Sequence, residues 1–353
     1  MRQRSAALIA LFVLAATVGL AQQPPVFTPY GALPVLDNYL EALRKQAGIP
    51  GMSAAVVRDG VVIWEKGYGY QNTASKIPAT PDTPYLVGDL SGTLAAVMLL
   101  ECYEHRQLYL DEPIRKYGGQ LPEPNATIGQ VLSHTTPGLE EFIYSPERYS
   151  QLTPVMEHCG EARSYRKSVS LLLNSAAMRD SVPGTDLWHS DSVLREGEFE
   201  SEDLDRYRRV LDRMALPYKV DTRLRAEHTE LPPITMSAEN GLVSTVRDLA
   251  RLDATLDSTV ILNQETLDSA WKPVNTASPM GLGWFVQTHR GQRVVWHFGM
   301  ITNAYSSLLL KLPDQKITFI LLANSDGLSS TFQLSSGNVT KSLFASLFLR
   351  LVT

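Results

Sequence analysis

The chain predicts an α/β fold in which an antiparallel sheet is interrupted by a mainly helical insertion. Three observations carry this reading. Two β-rich runs lie near the start, Met52–Arg58 and Val61–Tyr68, on either side of Asp59-Gly60. An alanine- and leucine-rich segment, Leu90–Tyr103, then opens a long stretch (105–240) rich in charge, proline and short helical patterns. Four β-branched or aromatic runs return near the end, at Leu282–Gln287, Gln292–His297, Ala304–Leu312 and Lys316–Ala323. Strands joined by tight turns must run antiparallel, and strands at both ends of a chain with helices between them make one interrupted sheet.

Each element has its own signal. Leu36, Leu40 and Leu43 recur at helical spacing, so Pro34–Gln46 reads as an amphipathic helix. Asp-Gly between two β-rich runs favours a type I′ hairpin turn, because both central residues of that turn need positive φ. Leu90–Tyr103 carries no charge until Glu101 and reads as a buried helix. Arg290-Gly291 and Pro313-Asp314 punctuate the late strands. A last apolar helix, Lys341–Leu351, is expected to cover the same face of the sheet as the first.

Arg2 and Arg4, the apolar run Ala6–Val18 and the small residues of Gly19-Leu20-Ala21 have the pattern of a secretory signal cleaved after Ala21. That apolar run is shorter than the roughly 20 residues a spanning helix needs. The expected organisation is a signal peptide (1–21), a linker (22–33) and one domain (34–351). Its sheet part covers 34–85 and 240–351, and its insertion covers 86–239. A periplasmic or secreted location follows, with no membrane span after cleavage. Loss of Arg2 and Arg4 takes the formal charge from −5 to −7. This mild acidity argues against nucleic acid or an anionic membrane as the main partner. Cys102 and Cys159 are the only cysteines. Their spacing does not decide pairing, and Cys102 in a strongly apolar helix reads first as a buried free thiol.

Five blocks in a fixed order carry a family resemblance. They are Ile49-Pro50-Gly51 with Val56–Gly60 and Gly67-Tyr68-Gly69; Leu132-Ser133-His134-Thr135 with Gly138-Leu139 after a one-residue insertion; Gly241–Thr245 with Arg247-Asp248-Leu249; Gly281-Leu282-Gly283-Trp284; and Leu322-Ala323-Asn324-Ser325. The chain resembles the serine β-lactamases, DD-peptidases and related esterases over residues 34 to 350, most closely the class C and esterase-like branch. The resemblance implies the β-lactamase/DD-peptidase-like fold, no cofactor, and peptides ending in D-alanine, cell-wall fragments or small esters as cleft ligands.

Acyl transfer in this family rests on three motifs. In Ser-x-x-Lys, one helical turn brings the lysine beside the nucleophilic serine. The resemblance places Asp89 at the serine and Gly92 at the lysine. A carboxylate attacking an amide would give a mixed anhydride that collapses backwards, and Gly92 supplies neither charge nor base. The Tyr-x-Asn motif aligns with His189-Ser190-Asp191, after Pro183-Gly184, so His189 and Asp191 replace its polar residues. The third motif, Lys-Thr-Gly or His-x-Gly, survives as His297-Phe298-Gly299.

The displaced candidates are weak. Ser91 lies about 200° around a helix from Asp89. Ser164-Tyr165-Arg166-Lys167 spells the motif within the charged insertion, and Asn338-Val339-Thr340-Lys341 belongs to the terminal helix. His134, inside a framework block, reads as a structural, hydrogen-bonded histidine. The first expectation is therefore a pseudoenzyme that uses the cleft for binding or scaffolding. A second is a repurposed hydrolase in which Asp89, His189, Asp191 and His297 form an acid–base or metal site, since two histidines and two carboxylates suit zinc or manganese. A third is an esterase or peptidase with a displaced serine. Because the resemblance implies that positions 89 and 92 line a cleft, Asp89→Ser with Gly92→Lys is expected to leave folding intact.

Overall fold

A computed structural model describes residues 29–136, 142–159, 164–188, 198–276 and 278–353. The opening helix α1 (Pro29–Gln46) starts five residues before the expected boundary and takes up part of the expected linker. Pro34 lies inside it, one turn from the start, where its missing N–H removes a single intrahelical bond. The hairpin follows as β1 (Gly51–Arg58) and β2 (Val61–Asn72), with β3 (Ile77–Pro78) beside it. Asp59 and Gly60 both have positive φ, 51° and 75°, as the predicted turn demands.

The insertion begins after β4 (Tyr85–Leu86). A 3₁₀ turn, Gly88–Ser91, leads into α2 (Gly92–Glu104), whose first nine residues are all buried. Four helices and a short strand follow: α3 (Ile128–Leu132), α4 (Thr153–Glu157), α5 (Tyr165–Ser175), β5 (Val182–Pro183) and α6 (Ser201–Leu211). After β6 (Tyr218–Val220) and β7 (Ala226–His228), β8 (Leu242–Ser244) pairs with both β4 and β5 in a small sheet. Strands of two or three residues carry no readable periodicity, and none of these was expected. The chain closes with α7 (Val246–Asp257), α8 (Gln264–Ala270), β9 (Phe285–His289), β10 (Gln292–Ile301), β11 (Tyr305–Leu312), β12 (Ile317–Ala323) and α9 (Leu343–Val352).

The main sheet has the order β3-β2-β1-β12-β11-β10-β9, and every described pairing in it is antiparallel. β1 from the start of the chain thus sits against β12 from its end, with Val56 opposite Phe319. This joins the two halves of the interrupted sheet. Each face is covered. Leu36 and Leu40 of α1 pack with Phe344 and Phe348 of α9 on Trp296 and Phe319. On the other face, Val295, Leu309 and Ile320 meet α2 and α7. β12 is buried along its whole length, as a central strand covered on both faces must be. Full burial of each such aromatic or aliphatic side chain stabilises the fold by about 1.5–3 kcal/mol. Among the described residues no helix is long and apolar enough to cross a membrane.

Cys102 and Cys159 form a disulfide, with Cα atoms 6.2 Å apart, that ties α2 to the end of α4. The free-thiol reading of Cys102 is therefore replaced. The two cysteines lie 57 positions apart, and the intervening chain folds back to bring them together.

Candidate functional site

The turn carrying Asp89 is clamped on two sides. Gly88 has φ +60°, and a Cβ there would lie 2.7 Å from the Met300 nitrogen of β10. At Gly299 a Cβ would fall 1.9 Å from the Val87 carbonyl oxygen. Only this pair of glycines lets turn and strand approach so closely. Ser307 donates to the same Val87 carbonyl at 2.7 Å, while Val87 N–H donates to Leu242 of β8 at 2.9 Å. Ser91 Oγ accepts from Leu242 N–H at 3.2 Å and is fully buried. It is part of the clamp and not a displaced nucleophile.

Asp89 sits at the front of this turn, with partial access to solvent. Tyr144 Oη donates to its Oδ2 over a long 3.5 Å. The Tyr144 ring packs on Phe298 (centroids 5.3 Å apart) and His134 (4.7 Å), and lies 6.4 Å from His297. Removal from water pushes the Asp89 carboxyl up to about 7, and the charges of Glu239 and Glu147 push the same way against the Tyr144 bond. The sequence reading did not single out Tyr144. Its only signal was a tyrosine ten residues beyond His134, in the stretch that follows the Leu-Ser-His-Thr block.

Gly92 begins α2, one helical turn on. A Cβ there would lie 3.0 Å from two carbons of the Tyr149 ring. That ring is held in place by Tyr149 Oη donating to Leu132 O at 2.6 Å and by stacking on His134 at 4.8 Å. A side chain at position 92 would therefore need the ring to give by a few tenths of an ångström, a contact that the expectation of an undamaged Gly92→Lys fold did not include.

His297 projects from β10 on the same face as Gly299 and is almost wholly buried. Its Nδ1 lies 2.7 Å from the Phe298 carbonyl, which makes Nδ1 the protonated nitrogen and leaves Nε2 an acceptor. Burial lowers its pKa to about 4, so it stays neutral across the physiological range. His134 behaves as the structural histidine expected of its block. Its Nδ1 accepts Ser145 N–H at 3.1 Å, and burial holds its pKa well below the usual value, helped by His297 and Arg148.

The other candidates separate from this site. Ser164 is the N-cap of α5, accepting Lys167 N–H at 3.1 Å and bonding to Glu198, so the Ser-x-x-Lys spelling there is a helix cap. Asn338 likewise caps the turn Val339–Lys341. His189, Ser190 and Asp191 lie outside the described residues, as does Gly138-Leu139. Among the described residues no three His, Cys, Asp or Glu side chains are grouped to hold a metal.

Comparison with known proteins places this geometry. The Beta-lactamase family model matches residues 36–339. Protein flp of Staphylococcus aureus (strain MW2) is 23% identical over 336 residues, covering 82% of this chain and 62% of that protein. The human serine beta-lactamase-like protein LACTB, mitochondrial, is 25% identical over 165 residues, covering 47% of this chain and 29% of its own length. The chain thus spans less than two thirds of either relative. Among solved structures, the octameric penicillin-binding protein homologue from Pyrococcus abyssi superposes with a TM-score of 0.71 at 20% identity, over 90% of this chain and 77% of that one. A class C beta lactamase from Rhodobacter sphaeroides gives 0.65 at 15% identity, over 90% and 99%. With the family model spanning most of its length and the Asp89 turn clamped between β10 and β8, the chain belongs to the beta-lactamase family.

Proposed function

We propose that this protein is an exported member of the beta-lactamase family that has lost serine acyl transfer and keeps its cleft for noncovalent binding. One observation carries the reading: the residue at the serine position is a carboxyl group bonded to Tyr144, and the residue at the lysine position is a glycine whose Cβ would already stand 3.0 Å from the Tyr149 ring. Tyr144-Ser145-Pro146 takes the Tyr-x-Asn place on this reading, with proline for asparagine, in preference to His189-Ser190-Asp191. Fold and site are separable, so a framework this complete is compatible with loss of the chemistry. The test is exposure of the whole chain to a fluorescent penicillin and to a fluorophosphonate, followed by intact-mass measurement. No adduct is expected with either, and one stoichiometric adduct overturns the reading.

A second reading is favoured by the ionisation of Asp89. A carboxyl group poised at about 7 and hydrogen-bonded to a tyrosine can take a proton from water at neutral pH. On this reading the chain hydrolyses a small ester without forming an adduct. Asp89→Asn abolishes that turnover if it exists, and a chain with no turnover leaves binding as the function.

A further inference from the structure

A cavity of about 590 Å³ lies between Leu86 of β4, the start of β11 and the segment 214–234. Leu216, Leu231 and Ile234 form its apolar wall, with the rings of Trp188 and Tyr305. Pro217, Pro232 and Pro233 line it as well, and prolines offer a ligand no N–H. Its size and lining fit a small-molecule site, which combines apolar walls with a few placed polar groups.

Which polar groups remain available decides the ligand. Tyr305 Oη donates to Ala215 O at 2.5 Å, and Trp188 Nε1 donates to Asp212 at 2.9 Å. Thr185 Oγ1 accepts Ile234 N–H at 2.8 Å, and Thr229 Oγ1 donates to Asn303 O at 2.9 Å. Asp186 is buried and paired with Arg166 at 2.6 Å, and it also accepts from Thr235. Of the polar side chains lining the cavity, His228 and Glu230 have no hydrogen bond to another described residue, and both are exposed. No lysine or arginine lines the cavity; Asp186 is paired through Oδ2 with Arg166, while its buried Oδ1 has no hydrogen-bond partner among the described residues. The exposed carboxylate of Glu230 has no ion pair with another described residue.

We propose that this cavity binds a small amphiphilic cation, an apolar body seated against Trp188, Ile234 and Tyr305 with a protonated amine directed to Glu230. None of Asp89, Gly92, Tyr144 or His297 lines the cavity, so the proposal does not rest on the loss or presence of acyl transfer at Asp89. Calorimetric titration of the full chain with phenylbutylamine, phenylbutanol and phenylbutyrate tests it, since the three share one apolar body. The amine is expected to bind saturably at one site. The alcohol should bind roughly two- to five-fold more weakly, the range of a solvent-exposed ion pair, and the acid more weakly still. Glu230→Gln, an exposed substitution that leaves the fold untouched, should bring the amine down to the alcohol's affinity. Leu231→Arg should reverse the preference toward the acid. Absence of saturable binding by all three, equal binding of acid and amine, or an amine preference that survives Glu230→Gln overturns the proposal.

Discussion

Replacement of Asp89 by asparagine should stabilise the protein, and should do so more at high pH than at low pH. The folded state holds this carboxyl at about 7, against an ordinary value of 3.8. Between those values the folded chain binds a proton that the unfolded chain releases, so stability falls as pH rises through this window. The full difference corresponds to about 4 kcal/mol above pH 7, and contact of Asp89 with solvent reduces the expected figure to about 2 kcal/mol. Asparagine keeps an acceptor for Tyr144 and has no charge to desolvate. His297 and His134 work in the opposite sense, because their lowered values make the folded state lose stability as pH falls through about 6.5. Both are present in wild type and variant, so they cancel in the difference. The assay is urea unfolding of both proteins at about pH 5 and about pH 8, where the stability gap should widen by about 1 kcal/mol, since part of the effect is already present at the lower pH. A gap that does not change with pH, or a variant less stable than wild type at the higher pH, would refute the argument. It would mean that the Asp89 carboxylate is matched by a counter-charge.

Two further outcomes follow from packing. Gly92→Lys should lower stability by about 1–3 kcal/mol, the usual penalty of forcing atoms into a filled core, read as a fall in Tm. Gly92→Ala should show a smaller loss, because its single Cβ meets the Tyr149 ring at 3.0 Å while the helix gains by losing a glycine. The oxidised chain, denatured without reductant, should show no free thiol. Cys102→Ala should reduce stability by about 4 kcal/mol on the chain-entropy account of a loop this long, measured by urea unfolding.

The architecture was legible because its signals are local. Asp59-Gly60 sets its own turn, and the terminal strands are separated by turn residues that need no tertiary context. The Leu90–Tyr103 run could be read as buried because a helix apolar all round has nowhere else to go. What escaped the sequence was set by contacts between distant segments. Tyr144 acquires meaning only when His134 and Phe298 place its hydroxyl near Asp89. The disulfide needs α2 and α4 side by side, and the β4-β8-β5 sheet consists of strands too short for alternation to show. Asp89, Gly92 and His297 were legible as positions, since block order fixes them. That Gly92 would be packed over by Tyr149 was not.

That packing bears on how the site could have changed. The clamp of Gly88 on Gly299, with Ser307 and Leu242 holding Val87, does not depend on what side chain stands at 89 or 92. It can hold the turn in place whether or not a nucleophile stands on it. Tyr149 is different, because it is fixed from outside the turn by Leu132 and His134 and takes up volume next to α2. A side chain at 92 would bring its Cβ 3.0 Å from the Tyr149 ring, so the ring must give by a few tenths of an ångström to admit one. The two positions are therefore in contact, and restoring serine and lysine at 89 and 92 would load the seat of the Tyr149 ring on His134. Removing that ring would open a cavity beside Gly92 and strand the Leu132 carbonyl, an effect of about 3–5 kcal/mol for a large buried aromatic. The frame thus does not depend on the side chain at 89, while any side chain at 92 must be met by a small shift of the Tyr149 ring.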